Sequence, residues 1–414
     1  MTVCEINHRG TGIAVFASDN LKMRIQRIMM SIILFAILFL SSAGQAGSQT
    51  TLSTPAEFVR ELSLPGVDNH FLRPGRVLVD KAFGEIYVAD PGHSRVTIFD
   101  RNGTFLYEFI TAEQCGAPID LAVDSQGMIY VLGTTLQGKK IFVYDFDGRF
   151  IRLFEPNLPE GNSANVITSI VISGEDKLYA LDIKSCRILC FDLDGNYESE
   201  FPVIEGSSET ELREITFGSI SIKDNIIYLP ISSLGSVRLF NINGEKLRSL
   251  GYRGSGIGEL SFPISVAVTN EDIVLILDKH RYNVVTFAKS GQFLGEFGGK
   301  GLRTGWFYHP TWLAVSPDNE ILISQVYNNM VQVCRLPQFI VDRHLNIHSN
   351  NTHREVDSQQ TTGGYIFNSL PQFELSFYTP MEPGRQSFTY TSHSVYGQVS
   401  TLPTNHFKAL KEVL

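Results

Sequence analysis

Basic and aromatic side chains gathered in short loops are the residues of this 414-residue chain best equipped for recognition chemistry. Six segments, PGHSR, TLQGKK, KSCR, LGSVR, KHRYN and VYNNM, supply His93, Arg95, Lys139, Lys140, Arg187, Arg238, His280 and Arg281. Other connecting segments add Arg73, Arg76, Arg253, Arg303, Trp306 and Tyr308. Arginine and aromatic residues anchor many protein interfaces, because they join a large contact area to directed hydrogen bonds. In a chain of net charge −9 such a collection would meet an acidic or carboxylate-bearing surface. The alternative is that the loop arginines bridge neighbouring parts of the chain itself, and at the level of sequence both readings stay open.

Catalytic chemistry has weaker candidates. There is no GxSxG nucleophile elbow, no HExxH pair, no zinc-type CxxC pair and no CxxCH haem site. The GSGIGE segment at 254–259 is only loosely similar to a phosphate loop and precedes no helical pattern, so an ordinary connecting loop is expected. His309 stands alone, whereas tetrahedral zinc needs three or four converging ligands. A part-buried, hydrogen-bonded ring at a strand start is the expectation for it. His344 and His348 would share a helix face, but with His353 they lie among Asn, Ser and Gln, which predicts a solvated stretch. No metal and no cofactor is expected. The acidic balance, with a pI near 5.6, argues against a nucleic-acid partner, whose phosphates it would repel.

The elements that must carry these loops follow from an internal repeat. Five segments end alike: GTFLYEF, GRFIRLF, GNYESEF, GEKLRSLG and GQFLGEFGG, beginning at Gly103, Gly148, Gly195, Gly244 and Gly291. Spacing of this order points to propeller blades of four strands each. Within each period an inner strand such as DLAVD or SVAVT is followed by a short turn and a second strand such as IYVAD or VLILD. A loop leads to a third strand, RVTIFD or RILCFD, and a Gly-containing hairpin (DRNG, DFDG, DLDG, NING, AKSG) to a fourth. Asp-Gly and Asn-Gly turns between alternating apolar runs are strong hairpin signals, because glycine tolerates the positive φ they need. Residues 71–336 contain the inner three-strand set six times but the outer strand only five times. The sixth outer strand precedes the first blade, in AEFVRELSLPG at 56–66, and is expected to pair with NMVQVCRL. Pairing first and last segments removes a free sheet edge.

The run VLVDKAFGEIYVADPGHSRVTIFDRNGTFLYEF, with LSFPISVAVTNEDIVLILDKHRYNVVTFAKSGQFLGEFGG at 260–299, resembles the NHL repeat. The matching features are an inner-strand Pro (Pro74, Pro118, Pro263, Pro310), an Asp opening the loop (Asp90, Asp182, Asp278) and an Arg closing it (Arg95, Arg187, Arg238). Blade 4, residues 212–250, lacks both the Pro and the opening Asp. The resemblance covers 56–336 and implies an all-β, six-bladed propeller closed by an N-terminal strand, with a C-terminal extension. It implies little about function. Lyases that resemble this repeat family hold zinc through histidines of several inner strands. The positions just before the inner-strand Pro, or its equivalent, are Arg73, Ala117, Val166, Glu214, Phe262 and His309, and one histidine does not make that site. A calcium-dependent lactonase-type site would need several converging oxygens, of which Glu214 alone stands out. The recurring Asp residues are expected to cap loop amides. RNA-binding relatives among intracellular ligases fit poorly with an acidic, exported chain.

Export is expected from residues 23–46. Arg24 and Arg27 precede an apolar run from Ile28 to Leu40, and Gly44 and Ala46 suit a signal-peptidase site. The run is well short of the roughly 20 residues that span a bilayer, although an uncleaved inner-membrane anchor is the alternative. Residues 1–22 contain Glu5 and Asp19, which places the expected start at Met23 and makes the upstream stretch a start-site artefact. Cys186 and Cys190 would lie roughly 13 Å apart on a straight strand, beyond the ~7 Å reach of a disulfide, and Cys190 and Cys334 read as buried thiols. Residues 337–362 read as a polar linker, and 363–414 as an extension with short alternating aromatic segments. The reading is a periplasmic or secreted scaffold that docks a protein partner in the cell envelope or outside the cell. The docking set is His93, Arg95, Arg187, Arg238, His280, Arg281, Trp306, Tyr308 and His309, with a divergent metal-dependent lyase or lactonase as the alternative. No nucleic acid is expected, and a membrane only through the signal segment.

Overall fold

A computed structural model of the chain describes residues 54–66, 69–80, 83–160, 166–205 and 212–347. The start-site, signal-peptide and C-terminal-extension expectations, with His348 and His353, lie outside these residues. Among the described residues, twenty-four strands form six antiparallel four-stranded sheets, each ordered from an inner to an outer strand. Five sheets are consecutive in the chain: 77–110, 117–154, 167–202, 221–250 and 263–298, here blades 1 to 5. Blade 6 combines Pro310–Val315, Ile321–Gln325 and Met330–Arg335 with Glu57–Glu61 from the start of the described chain. Within it Phe58 pairs with Cys334, Arg60 with Val333 and Glu61 with Gln332. The architecture is a six-bladed β-propeller closed as the pattern predicted.

Packing explains the residue choice. The second strands, IYVAD, LYALD and IVLILD, are buried at every position because each is sandwiched between two neighbouring blades. They therefore read as continuous apolar runs, whereas outer strands such as KLRSL are mostly exposed. Six apolar clusters result, one at each junction between blades. The 3–4 hairpins use one device repeatedly. Asp100 Oδ1 accepts from the amides of Asn102 (2.9 Å) and Thr104 (2.7 Å), and Asp145, Asp192 and Asn241 do the same in the next three blades. The repeated glycine three residues later, Gly103 for instance, has φ 82°, which a side chain would strain.

The seam of the ring is tied by more than its ladder. Arg60 makes a two-pronged contact with Glu320 (2.9 and 2.7 Å), and the Ala56 amide donates to Gly305 O (2.8 Å). Beyond the last strand, residues 338–347 form a helix where a polar linker was expected. Ile340 is fully buried in the cluster between blades 5 and 6, and Arg343 Nη1 donates to Leu294 O at 2.7 Å. Gly295 permits this approach, since a Cβ there would lie 2.7 Å from the Phe339 ring. Ile340, His344 and Ile347 at helical spacing were the sequence signal for it. No helix among the described residues is long and apolar enough to cross a membrane. Cys115, Cys186, Cys190 and Cys334 are free thiols, all buried.

Candidate functional site

Loops between second and third strands share one face of the ring with the loops that join blades, as antiparallel order requires. On this face the arginines of the loops between second and third strands are turned inward. In blade 1 the buried Asp90 accepts from the Leu72 amide through Oδ1 (2.8 Å) and from Arg95 Nε through Oδ2 (3.0 Å). Arg95 continues to Glu108 Oε2 (2.8 Å), Asn69 Oδ1 (2.9 Å) and His70 O (2.8 Å). His93 contacts the same Asp90 carboxylate at 2.9 Å. Blade 3 repeats the arrangement with Asp182, Arg187 and Glu200, the last two 2.8 Å apart. In blade 5 Asn283 stands where the arginine would be, and Arg281 reaches Glu296 from the loop instead (2.8 and 3.0 Å). Asp278 there caps the amides of Ser261, Phe262, His280 and Arg281. Arg238 donates to Val203 O at 2.6 Å, and burial pushes its pKa down.

Arg95, Arg187, Arg238 and Arg281 are thus internal bridges, which corrects the expectation that they face a partner. Their guanidinium groups are spent on carboxylates and carbonyls of their own and adjoining segments. A second correction concerns Arg76, read from sequence as part of a loop between blades. It lies buried at the foot of the first inner strand, 4.3 Å over the Trp312 ring and 3.3 Å from Asp120. Burial lowers the pKa of Arg76 and raises that of Asp120, each opposed by the other's charge.

The structure brings together a different set on blades 5 and 6. Tyr282, Tyr308, His309 and Tyr327 form one aromatic cluster, with His309 4.7 Å from Tyr308 and 4.5 Å from Tyr327 between ring centroids. Tyr282 lies parallel to Tyr308 at 6.5 Å, and Lys300 Nζ is 5.6 Å from the Tyr282 centroid. His280 stacks on Phe262 at 4.4 Å and is exposed. Tyr327 is 65% exposed, so the cluster opens to solvent. Its base is rigid: the Tyr308 amide donates to Gln325 Oε1 (2.7 Å) and the Val326 amide to His309 O (3.2 Å). His309 has φ 52° and Tyr282 φ 58°, left-handed conformations that non-glycine residues adopt at a cost and that recur at functional sites. Trp306 is set apart, partly buried over Gly301, its carbonyl accepting from Gln332 Nε2 at 3.0 Å. Tyr282, Tyr327 and Lys300 were missed from sequence. The signal was an aromatic residue in the same loop of two successive blades, KHRYN and VYNNM.

Among the described residues, no three His, Cys, Asp or Glu side chains stand close enough to hold a metal ion, so Glu214 and His309 belong to no such group. No family model matches the chain. A curated relative, Protein brain tumor of Drosophila melanogaster, is 25% identical over 145 residues, which is 33% of this chain and 13% of that protein. The chain therefore spans a small part of that relative. A protein of unknown function from Bacteroides thetaiotaomicron, solved by crystallography, aligns with TM-score 0.50 at 13% identity, covering 69% of this chain and 74% of its own. Virginiamycin B lyase from Staphylococcus aureus aligns with TM-score 0.44 at 15% identity, covering 67% of this chain and 88% of its own. The chain is a six-bladed β-propeller, and its repeat resembles the NHL repeat. In this propeller the signature Asp and Arg bridge segments of the chain itself, and the aromatic cluster is the solvent-open group of the loop face.

Proposed function

We propose that this propeller is an exported binding scaffold that takes a protein partner on its loop face, through the aromatic cluster of blades 5 and 6. The observation that carries the reading is the solvent-open group of Tyr282, Tyr308, His309 and Tyr327 on a backbone fixed by Gln325. Rigid aromatic rings give large contact area at little entropic cost, which is the property of interface hot spots. Arg73, Lys279, Lys300 and Arg303 are exposed in the surrounding loops, so the matching surface carries carboxylates. Export rests on the signal-type pattern of residues 23–46.

The test is capture of partners from a cell-envelope extract by the wild-type propeller and by a Tyr308→Ala/Tyr327→Ala variant, read by mass spectrometry. The variant should lose the captured partner while keeping its thermal transition, with an affinity loss of at least about 30-fold for a hot-spot pair. Equal capture by both proteins would sink the proposal.

A further inference from the structure

The opposite face of the ring, where first and second strands turn, opens into the central channel. A cavity of about 590 Å³ occupies this half of the channel. Its wall takes one partly exposed apolar side chain from each blade: Leu78, Val123, Ile172, Ile222, Ala267 and Val315. At its floor lies the Arg76 guanidinium, stacked on Trp312. Arg76 is only 4% exposed, and its Nε and Nη1 have no hydrogen-bond acceptor. A buried donor without an acceptor is costly, and such exceptions call for a specific explanation. Asp120 neutralises the charge from 3.3 Å, but its oxygens already accept from Ser169 Oγ (2.7 Å), Ile170 N (3.0 Å) and Leu121 N (2.8 Å).

The charges select the kind of occupant. Around the mouth stand Asp80, Asp124, Asp176 and Asp224 against Lys223, so an anion would be repelled on entry. A cation would find at the floor a guanidinium that only Asp120 neutralises, and Asp120 is already engaged by Arg76, Ser169, Ile170 and Leu121. A hydrocarbon would satisfy the wall and leave the guanidinium donors unpaired. We propose that this well binds a small uncharged molecule with an apolar body and one carbonyl-type oxygen that accepts a hydrogen bond from Arg76. The site lies across the ring from the aromatic cluster and stands independently of any docking there.

The chain has two tryptophans, Trp306 and Trp312, so a Trp306→Phe protein reports the well through Trp312 emission. Benzamide, benzoate and benzene serve as probes of one size with a neutral acceptor, an anionic acceptor and none. Benzamide should give a saturable change, at least tenfold tighter than either of the others. Ala267→Leu narrows the well without touching Arg76, Asp120 or Trp312, and should weaken benzamide at least tenfold. Arg76→Met combined with Asp120→Asn removes both buried charges together and should abolish the preference for benzamide over benzene. If that variant does not fold, the Ala267→Leu titration still decides. The absence of a saturable benzamide signal, equal binding of benzene, or benzamide binding untouched by Ala267→Leu would overturn the proposal and leave the well to water.

Discussion

Blades 3 and 6 occupy the same frame and use it in opposite ways. In blade 3 the loop is opened by Asp182 and closed by Arg187, and the arginine is locked to Glu200 on the outer strand. In blade 6 those three places hold Gln325, Met330 and Glu61. The loop amides are still capped, because Gln325 Oε1 accepts from Tyr308 N, but there is no cation and no ion lock. What the loop gains instead is an aromatic cluster open to water. A neutral cap fixes the backbone as well as a carboxylate does without recruiting an arginine over it, so the rings remain uncovered. The lesson is that in blade 6 the loop is left open where the residues depart from the repeat signature.

The largest expected effect lies on the locked side. Arg95→Met would strand Asp90, which is fully buried, and should lower the unfolding free energy by about 3–5 kcal/mol in denaturant titration. A loss below about 1 kcal/mol would show that the lock contributes little and erase the distinction between the blades. Next comes Gln325→Ala, which leaves the Tyr308 amide without its side-chain acceptor and should cost about 1–3 kcal/mol. It should also impair partner capture, whereas Arg95→Met, tested below its transition, should not. The smallest effect concerns Glu61, an exposed residue whose carboxyl pKa is raised above its ordinary value by desolvation against the sheet. A folded-state pKa above the unfolded one means the folded state holds the proton more tightly, so the wild type loses stability as pH rises through that range. Glu61→Gln should therefore raise the melting temperature slightly at pH 7, and the gain should vanish at pH 3, where the wild-type carboxyl is also neutral. An unchanged difference across pH would assign the effect to packing.

Much of the scaffold was legible because it repeats. The glycines at 103, 148, 195, 244 and 291 marked five hairpins, and the missing sixth outer strand pointed to the pairing of Phe58 with Cys334. The capping role of Asp90, Asp182 and Asp278 could also be read, since a carboxylate at the start of a loop has amides within reach. The direction of the arginines could not. Arg95 and an exposed arginine look alike in sequence, and the deciding partner, Glu108, is contributed by another strand. The Arg76–Asp120 pair was hidden for a similar reason: its members sit on the inner strands of successive blades and meet only when the ring forms. The helix at 338–347 was obscured by the polar run at 348–362 with which it was read as one linker.

The strand Glu57–Glu61 is the first of the described strands to be synthesised and the last to find its place, because its neighbour Met330–Arg335 ends the sixth blade. Until that neighbour exists, the opening segment has no ladder to join, and the growing array keeps a raw edge at each end. Circularisation is therefore deferred until Met330–Arg335 has been made, a long-range pairing that sets a slow step. Shortening the polypeptide anywhere before Arg335 would leave an arc in place of a wheel.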